Sequence, residues 1–226
     1  MRRPEFIARQ SRCPSGFLGR VIGHVMSFET AAANDEALKA LDLKPADRVL
    51  EVGFGHGRTI ERAASMVPQG LVVGIDASEE MLQMATRRCR RLIDQDRVRL
   101  TLGDSAHLPY PDQFFDKGYA IHTIYFWDDP KLHLCELYRV LRDGARFVLG
   151  FHPKGEEGTA DFPETVYSFY TSDQVLHLLQ AAGFADARVE RPGGAAGGLA
   201  LGIGHRQADR FDDAAGATIR NLTGRS

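Results

Sequence analysis

Three places along the sequence carry residue types and spacings suited to holding a ligand. Gly53, Gly55 and Gly57 stand at alternate positions directly after the apolar run VLEV. A chain gives up side-chain packing there where its backbone must turn sharply or let another molecule come close. The spacing is G-x-G-x-G, whereas a dinucleotide fingerprint has a third glycine where this chain has Arg58. A plain strand-to-helix turn satisfies it as well as a ligand-facing one. Asp76 closes the apolar run LVVGID, about twenty residues beyond that turn. Its carboxylate can accept from two adjacent ribose hydroxyls, or cap the next helix; Ser78 already offers a cap, which favours the ribose. Asp104 closes RVRLTLGD, where a carboxylate either accepts from an exocyclic adenine amine or closes an Asx turn. Taken in order, the three features suit a ligand built on a nucleoside.

Such residues need a layered frame, and the rest of the chain signals one. DRVLEV (47–52), LVVGID (71–76), RVRLTLGD (97–104), FFDKGYAIHT (114–123) and DGARFVLGFH (143–152) read as strands, followed by FADARVER and GGLALGIGHR. LVVGID lacks polar alternation, as a strand covered on both faces should. GRTIERAASM (57–66) has helical spacing, with Ile60, Ala63, Ala64 and Val67 on one side. SEEMLQMATRRCRRLI begins with a Ser78 cap and two glutamates and ends in four arginines, a match to the helix dipole that accounts for the basic cluster without nucleic acid. PKLHLCELYRVL (130–141) and SDQVLHLLQAAG (172–183) are two more helices, the second with a Ser172 cap and a Gly183 stop. Strands alternating with helices predict a mostly parallel α/β sheet with helices on both faces and ligands at the carboxyl ends of its strands. Residues 1–44 read as an N-terminal helical lid, containing SGFLGRVIGHVMS and TAAANDEALKAL, residues 45–206 as the ligand-binding domain, and residues 207–226 as a polar tail.

Composition narrows the function classes. The 226 residues carry a formal net charge of −2, which gives no global argument for nucleic acid or an anionic membrane. Arginines at 2, 3, 9, 12 and 20 make the amino end locally basic, either as a solvated face or as a membrane contact. Cys13, Cys89 and Cys135 are too few and too scattered for a disulfide framework or a metal site, which fits a reducing cytoplasm. MRRPEFIARQ is too polar for a signal peptide, and no apolar run approaches the roughly 20 residues that span a bilayer.

The run E-x-G-x-G-x-G from Glu51 to Gly57, then GIDAS, GDSAHLPYPDQFFD and RVLRDGARFVL, resembles the class I S-adenosylmethionine-dependent methyltransferases. The similarity is strongest to the small-molecule branch that holds the ubiquinone and menaquinone C-methyltransferases, and it extends from residue 45 to residue 190. The resemblance implies a Rossmann-like, seven-stranded sheet of order 3-2-1-4-5-7-6 with strand 7 antiparallel, and S-adenosyl-L-methionine as cofactor. It implies that Glu51 and the turn at Gly53, Gly55 and Gly57 shape the methionine end of the cofactor site. It further implies that Asp76, with Ala77 beside it, holds the ribose and that Asp104 and Ser105 contact adenine. His56 departs from the pattern, where a small or acidic residue is usual; at a helix start the dipole favours its neutral form.

A sulfonium methyl is already activated, so positioning supplies much of the rate, on the order of 7–11 kcal/mol in good cases. A base, worth roughly 10²–10⁴-fold, is needed only for a poorly acidic hydroxyl or carbon. His122, Tyr125, Phe126 and Trp127 cluster at the end of the fourth strand. His122 is the first candidate for base or substrate anchor, against a structural histidine that packs the loop. Tyr125 and Trp127 either line an aromatic pocket or form core, and His152 ends the next strand on the same rim. Residues 153–172, with Tyr167, Phe169 and Tyr170, are long enough to roof a substrate. Phe17, Leu18, Arg20, Val21, His24 and Val25 would complete the lid, and Cys13 without companions argues against arsenic as substrate. The expected function is methyl transfer to a small, partly apolar or aromatic acceptor by a monomer or homodimer. The alternatives are a lipid or quinone methyltransferase at a membrane surface, a nicotinamide-dependent oxidoreductase, which Arg58 disfavours, and a non-catalytic cofactor-binding protein.

Overall fold

Apolar runs of four to six residues can be buried on both faces only if helices cover both, and the chain is built that way. The computed structural model describes residues 31–156, 159–192 and 198–207, with Glu5, Ile7, Pro14 and Gly16. Its elements are α1 (Ala31–Leu41), β1 (Arg48–Val52), α2 (Arg58–Met66), β2 (Leu71–Asp76), α3 (Glu79–Asp94), β3 (Val98–Leu102), β4 (Phe115–Ile121), α4 (Pro130–Val140), β5 (Leu141–Phe151), α5 (Ser172–Ala181), β6 (Ala185–Glu190) and β7 (Ala200–His205). Single 3₁₀ turns lie at Ile124–Phe126 and Thr159–Asp161.

The seven strands form one sheet in the order β3-β2-β1-β4-β5-β7-β6. β1 to β5 run parallel, and β7 lies antiparallel between β5 and β6. The strand order reverses between β1 and β4, which opens a crevice at their carboxyl ends. Neighbouring residues of one strand feed opposite faces. Leu50 and Val73 point into a core with Leu134, Leu137 and Leu179, under α4 and α5. Val49 and Val72 point into the other with Leu38, Ile60 and Ala85, under α1, α2 and α3.

Two boundaries differ from expectation. The N-cap of α5 is Thr171, not Ser172. Thr171 accepts from the Gln174 amide and the Gln174 side chain returns to the Thr171 amide, a reciprocal pair that Ser172 followed by Val175 cannot make. α4 stops at Val140 and β5 begins at once, because one Arg206 nitrogen, Nη1, donates to the carbonyls of Tyr138, Arg139 and Leu141 and satisfies the helix end. α1 packs on the sheet through Ala37, Leu38 and Leu41, which are fully buried, while its Asn34 lines the cavity. The other helical piece of the 1–44 segment, with Cys13, Phe17, Leu18, Arg20, Val21, His24 and Val25, lies outside the described residues, as does the tail beyond Gln207. Cys89 is buried and Cys135 exposed, both as free thiols. Among the described residues no helix is long and apolar enough to cross a membrane.

Candidate active site

The crevice holds a cavity of about 320 Å³ at the carboxyl ends of β1, β2 and β4. That lies within the size range of small-molecule sites, roughly 300–1,000 Å³. Its floor is the glycine turn. Gly53, Gly55 and Gly57 have φ of 74°, 54° and 84°, all left-handed. A β-carbon on Gly53 would overlap the Thr123 methyl, and one on Gly57 would sit 2.8 Å from the Ala85 β-carbon. Those two glycines let the turn nest on its neighbours. Gly55 differs, because among the described residues nothing lies within 4 Å of where its β-carbon would be. Its bare backbone borders the open cavity.

Asp76 ties this turn to the next helix. Its Oδ2 accepts from the Gly55 amide at 2.8 Å and its Oδ1 from the Ser78 amide at 2.9 Å. A carboxylate has about four acceptor sites, so capacity for a ligand remains on the cavity wall. Ser78 is the N-cap of α3, accepting from the Met81 amide, while its hydroxyl donates to the Pro14 carbonyl. Ala77 lies between them on the same wall.

Glu51, 4 % exposed, projects toward the cavity from β1. Tyr119, its register partner on β4, donates to its Oε2 at 2.6 Å. Burial pushes the Glu51 carboxyl up to about 8, and the nearby Asp76 adds to the shift against the Tyr119 hydrogen bond. Burial raises Asp76 as well. Among the described residues no lysine or arginine lines the cavity, so this part of the wall presents acidic groups without a cation beside them.

Asp104 and Ser105 follow β3. Asp104 Oδ1 accepts from the Ala106 amide at 2.9 Å, so the Asx turn exists, and the residue also lines the cavity. Ser105 Oγ lies 2.7 Å from His133 Nδ1. The His133 ring stacks on Trp127, with centroids 4.8 Å apart and planes at 6°. Burial lowers the His133 pKa, with Asp104 opposing. His56 Nδ1 accepts from the Arg58 amide at 3.2 Å, which requires a nitrogen without a proton.

The end of β4 brings His122, Tyr125 and His152 together, but only His122 lines the cavity. His122 has φ of 57°, rare for a residue with a side chain. Its Nδ1 is 3.2 Å from the Tyr125 hydroxyl, which accepts from the His152 amide. The two imidazoles stack, with centroids 4.9 Å apart. Burial and His152 push the His122 pKa down to about 3, and burial raises that of Tyr125. Tyr125 turns back into a layer with Phe126, Tyr167 and Phe169, and its carbonyl accepts from the Ser168 amide. Tyr167, Ser168 and Phe169 therefore brace the rim from behind; Phe126 and Trp127 are the aromatic residues of this group on the cavity wall.

Sequence reasoning missed Thr123 and His133. Thr123 Oγ1 is buried, without a partner, on a residue of the cavity wall. Its signal was faint, a β-branched residue after an apolar strand. His133 had a better one: it falls on the buried stripe of α4 with Leu134, Leu137 and Val140, where an unpaired imidazole is costly.

Comparison with known proteins agrees with this geometry. Residues 50–149 match the family model described as a methyltransferase domain. The chain is 29% identical over 170 residues to the uncharacterized methyltransferase YdaC of Bacillus subtilis, covering 75% of this chain and 89% of that protein. It is 38% identical over 109 residues to a demethylmenaquinone methyltransferase of Symbiobacterium thermophilum, covering 46% of this chain but only 42% of the relative. A crystal structure of a SAM-dependent methyltransferase from Aquifex aeolicus superimposes with a TM-score of 0.63 at 27% identity, covering 76% of this chain and 89% of that one. With the strand order, the glycine turn and the matched region in agreement, the chain has the seven-stranded Rossmann-like fold of SAM-dependent methyltransferases, and residues 50–149 match a methyltransferase domain within it.

Proposed function

We propose that the enzyme methylates a small, partly apolar or aromatic acceptor that enters beside His122. The cofactor supplies a sulfonium-bound methyl group, taken by an acceptor lone pair as the carbon–sulfur bond breaks and its electrons stay on sulfur. One observation carries the assignment of site residues: Glu51 and Asp76 lie on a cavity lined, among the described residues, by no lysine or arginine, beside the open backbone of Gly55. A ligand bearing an ammonium and a sulfonium brings the missing charge. On this reading Glu51 and the turn at Gly53, Gly55 and Gly57 face the amino-acid part. Asp76 and Ala77 hold the sugar, and Asp104 and Ser105 meet the base. The orphaned Thr123 hydroxyl is a further polar group that a ligand can satisfy.

The acceptor class rests on the rim. Phe126 and Trp127 offer apolar faces, His122 a polar point, and the similar demethylmenaquinone methyltransferase is named for a quinone-type acceptor. Tyr125 and His152 act behind His122. Calorimetry with S-adenosylhomocysteine tests the cofactor part: saturable binding is expected, weakened at least about tenfold in Asp76→Ala by loss of charge-assisted hydrogen bonds. Unchanged affinity in that variant would remove Asp76 from the site. Transfer of labelled methyl to a panel of phenols and hydroquinones tests the acceptor part, and turnover confined to aliphatic amines would refute it.

A further inference from the structure

Building on this reading, we propose that Tyr125 is a positioning residue that holds His122 as its Nε2–H tautomer, so that His122 donates to the acceptor and the site takes molecules carrying a phenolate- or enolate-type oxygen. Among the described residues the Tyr125 hydroxyl has two hydrogen-bond partners, the His152 amide and His122 Nδ1. The amide can only donate, so it occupies a lone pair of the phenol oxygen. The hydroxyl hydrogen then finds its acceptor in His122 Nδ1, 3.2 Å away. Leaving that hydrogen unpaired among rings is unfavourable, so Nδ1 carries no proton and the neutral ring carries it on Nε2.

The surroundings hold this arrangement in place. The His122 amide donates to the Gly150 carbonyl at 2.8 Å, and the ring lies against His152 with planes at 19°. The left-handed φ of 57° is the kind of local strain kept where a side chain must be aimed. Nε2 has no partner among the described residues, and His122 is on the cavity wall. A pKa near 3 makes this imidazole a poor proton acceptor at neutral pH. An oxygen that arrives as its anion needs none, because it ends uncharged after taking the methyl and leaves no proton behind. A neutral hydroxyl leaves one proton, and His122 in this tautomer has no free lone pair for it.

The test uses the full chain, ¹⁵N-labelled at histidine and saturated with S-adenosylhomocysteine, with 4-nitrophenolate as probe. Long-range ¹H–¹⁵N spectra at pH 7.5 are expected to show His122 protonated on Nε2 with Nδ1 hydrogen-bonded. The phenolate is expected to move the Nε2–H proton downfield, while 4-nitroanisole, which lacks the anionic oxygen, leaves it in place. In Tyr125→Phe the Nδ1 signal should lose its bonded character and the probe should bind about tenfold more weakly, the worth of one charge-assisted hydrogen bond. A proton on Nδ1 in the wild type overturns the proposal, as does an unaltered His122 signal in Tyr125→Phe. No response to the phenolate, or an equal response to the anisole, overturns the acceptor class. If Tyr125→Phe does not fold, the wild-type spectra decide alone. Failure of S-adenosylhomocysteine to protect the chain thermally would count against the cofactor-site assignment, and the tautomer result would stand apart from it.

Discussion

Gly55→Ala separates the cost of a strained turn from the cost of a blocked ligand. The native φ at this position is 54°, which alanine adopts at a penalty of roughly 1–2 kcal/mol. Among the described residues no atom lies within 4 Å of the added methyl, so they add no steric cost. For a domain of this size each kcal/mol lowers Tm by about 2–4 °C, so the variant should melt about 2–8 °C below the wild type and remain folded. Its affinity for S-adenosylhomocysteine should fall by at least about tenfold, or 1.4 kcal/mol, because the methyl takes the space a ligand would use. Gly53→Ala is the control: its β-carbon overlaps the Thr123 methyl, so it loses stability well beyond the strain of φ alone. Calorimetry and thermal melts on both variants supply the readings. A Gly55→Ala protein with wild-type affinity would refute the reasoning, since the open space beside Gly55 would then not be where the cofactor lies.

Other outcomes can be checked alongside it. The folded protein keeps a proton on Glu51 up to about pH 8, against 4.5 for a free carboxyl, so stability from this group is lost as pH rises between those values. Glu51→Gln should remove that slope in denaturation measured from pH 5 to 8.5. Cofactor binding by the wild type should tighten over the same window, as the ionised carboxylate meets a cation. Cys135, exposed, should react with iodoacetamide in the native state, whereas Cys89 should label only on unfolding, since burial pushes its thiol up to about 12. Thr171→Ala should cost about 1 kcal/mol in denaturant melts by removing the capping box of α5, with cofactor affinity unchanged.

The parts of the fold that could be read from the sequence are those written in local pattern. Apolar runs such as LVVGID and glycines at alternate positions are short-range signals, and the resemblance to the methyltransferases supplied the strand order that the structure has. The Thr171 cap is also local, as T-x-x-Q, but Ser172 beside it offers the same cap chemistry one residue on. What could not be read depends on contacts across the chain. Tyr119 reaches Glu51 over 68 positions because β1 and β4 pair in that register. His133 reaches Ser105 over 28, and the end of α4 depends on Arg206, 65 to 68 positions away. Its place after a strand end leaves Tyr125 open between a cavity wall and core. The 3₁₀ turn at Ile124–Phe126 points it backwards, toward Phe169 and the His152 amide.

The central claim is that a cationic amino-acid group rests over Gly55 and Glu51 while the adjoining sugar bonds Asp76. A crystal structure of the full chain with S-adenosylhomocysteine tests it most directly. The account predicts both ribose hydroxyls on the Asp76 carboxylate and the ammonium group on the cavity side of the glycine turn. A ligand seated elsewhere in the crevice, with Asp76 still bonded only to the Gly55 and Ser78 amides, would contradict it.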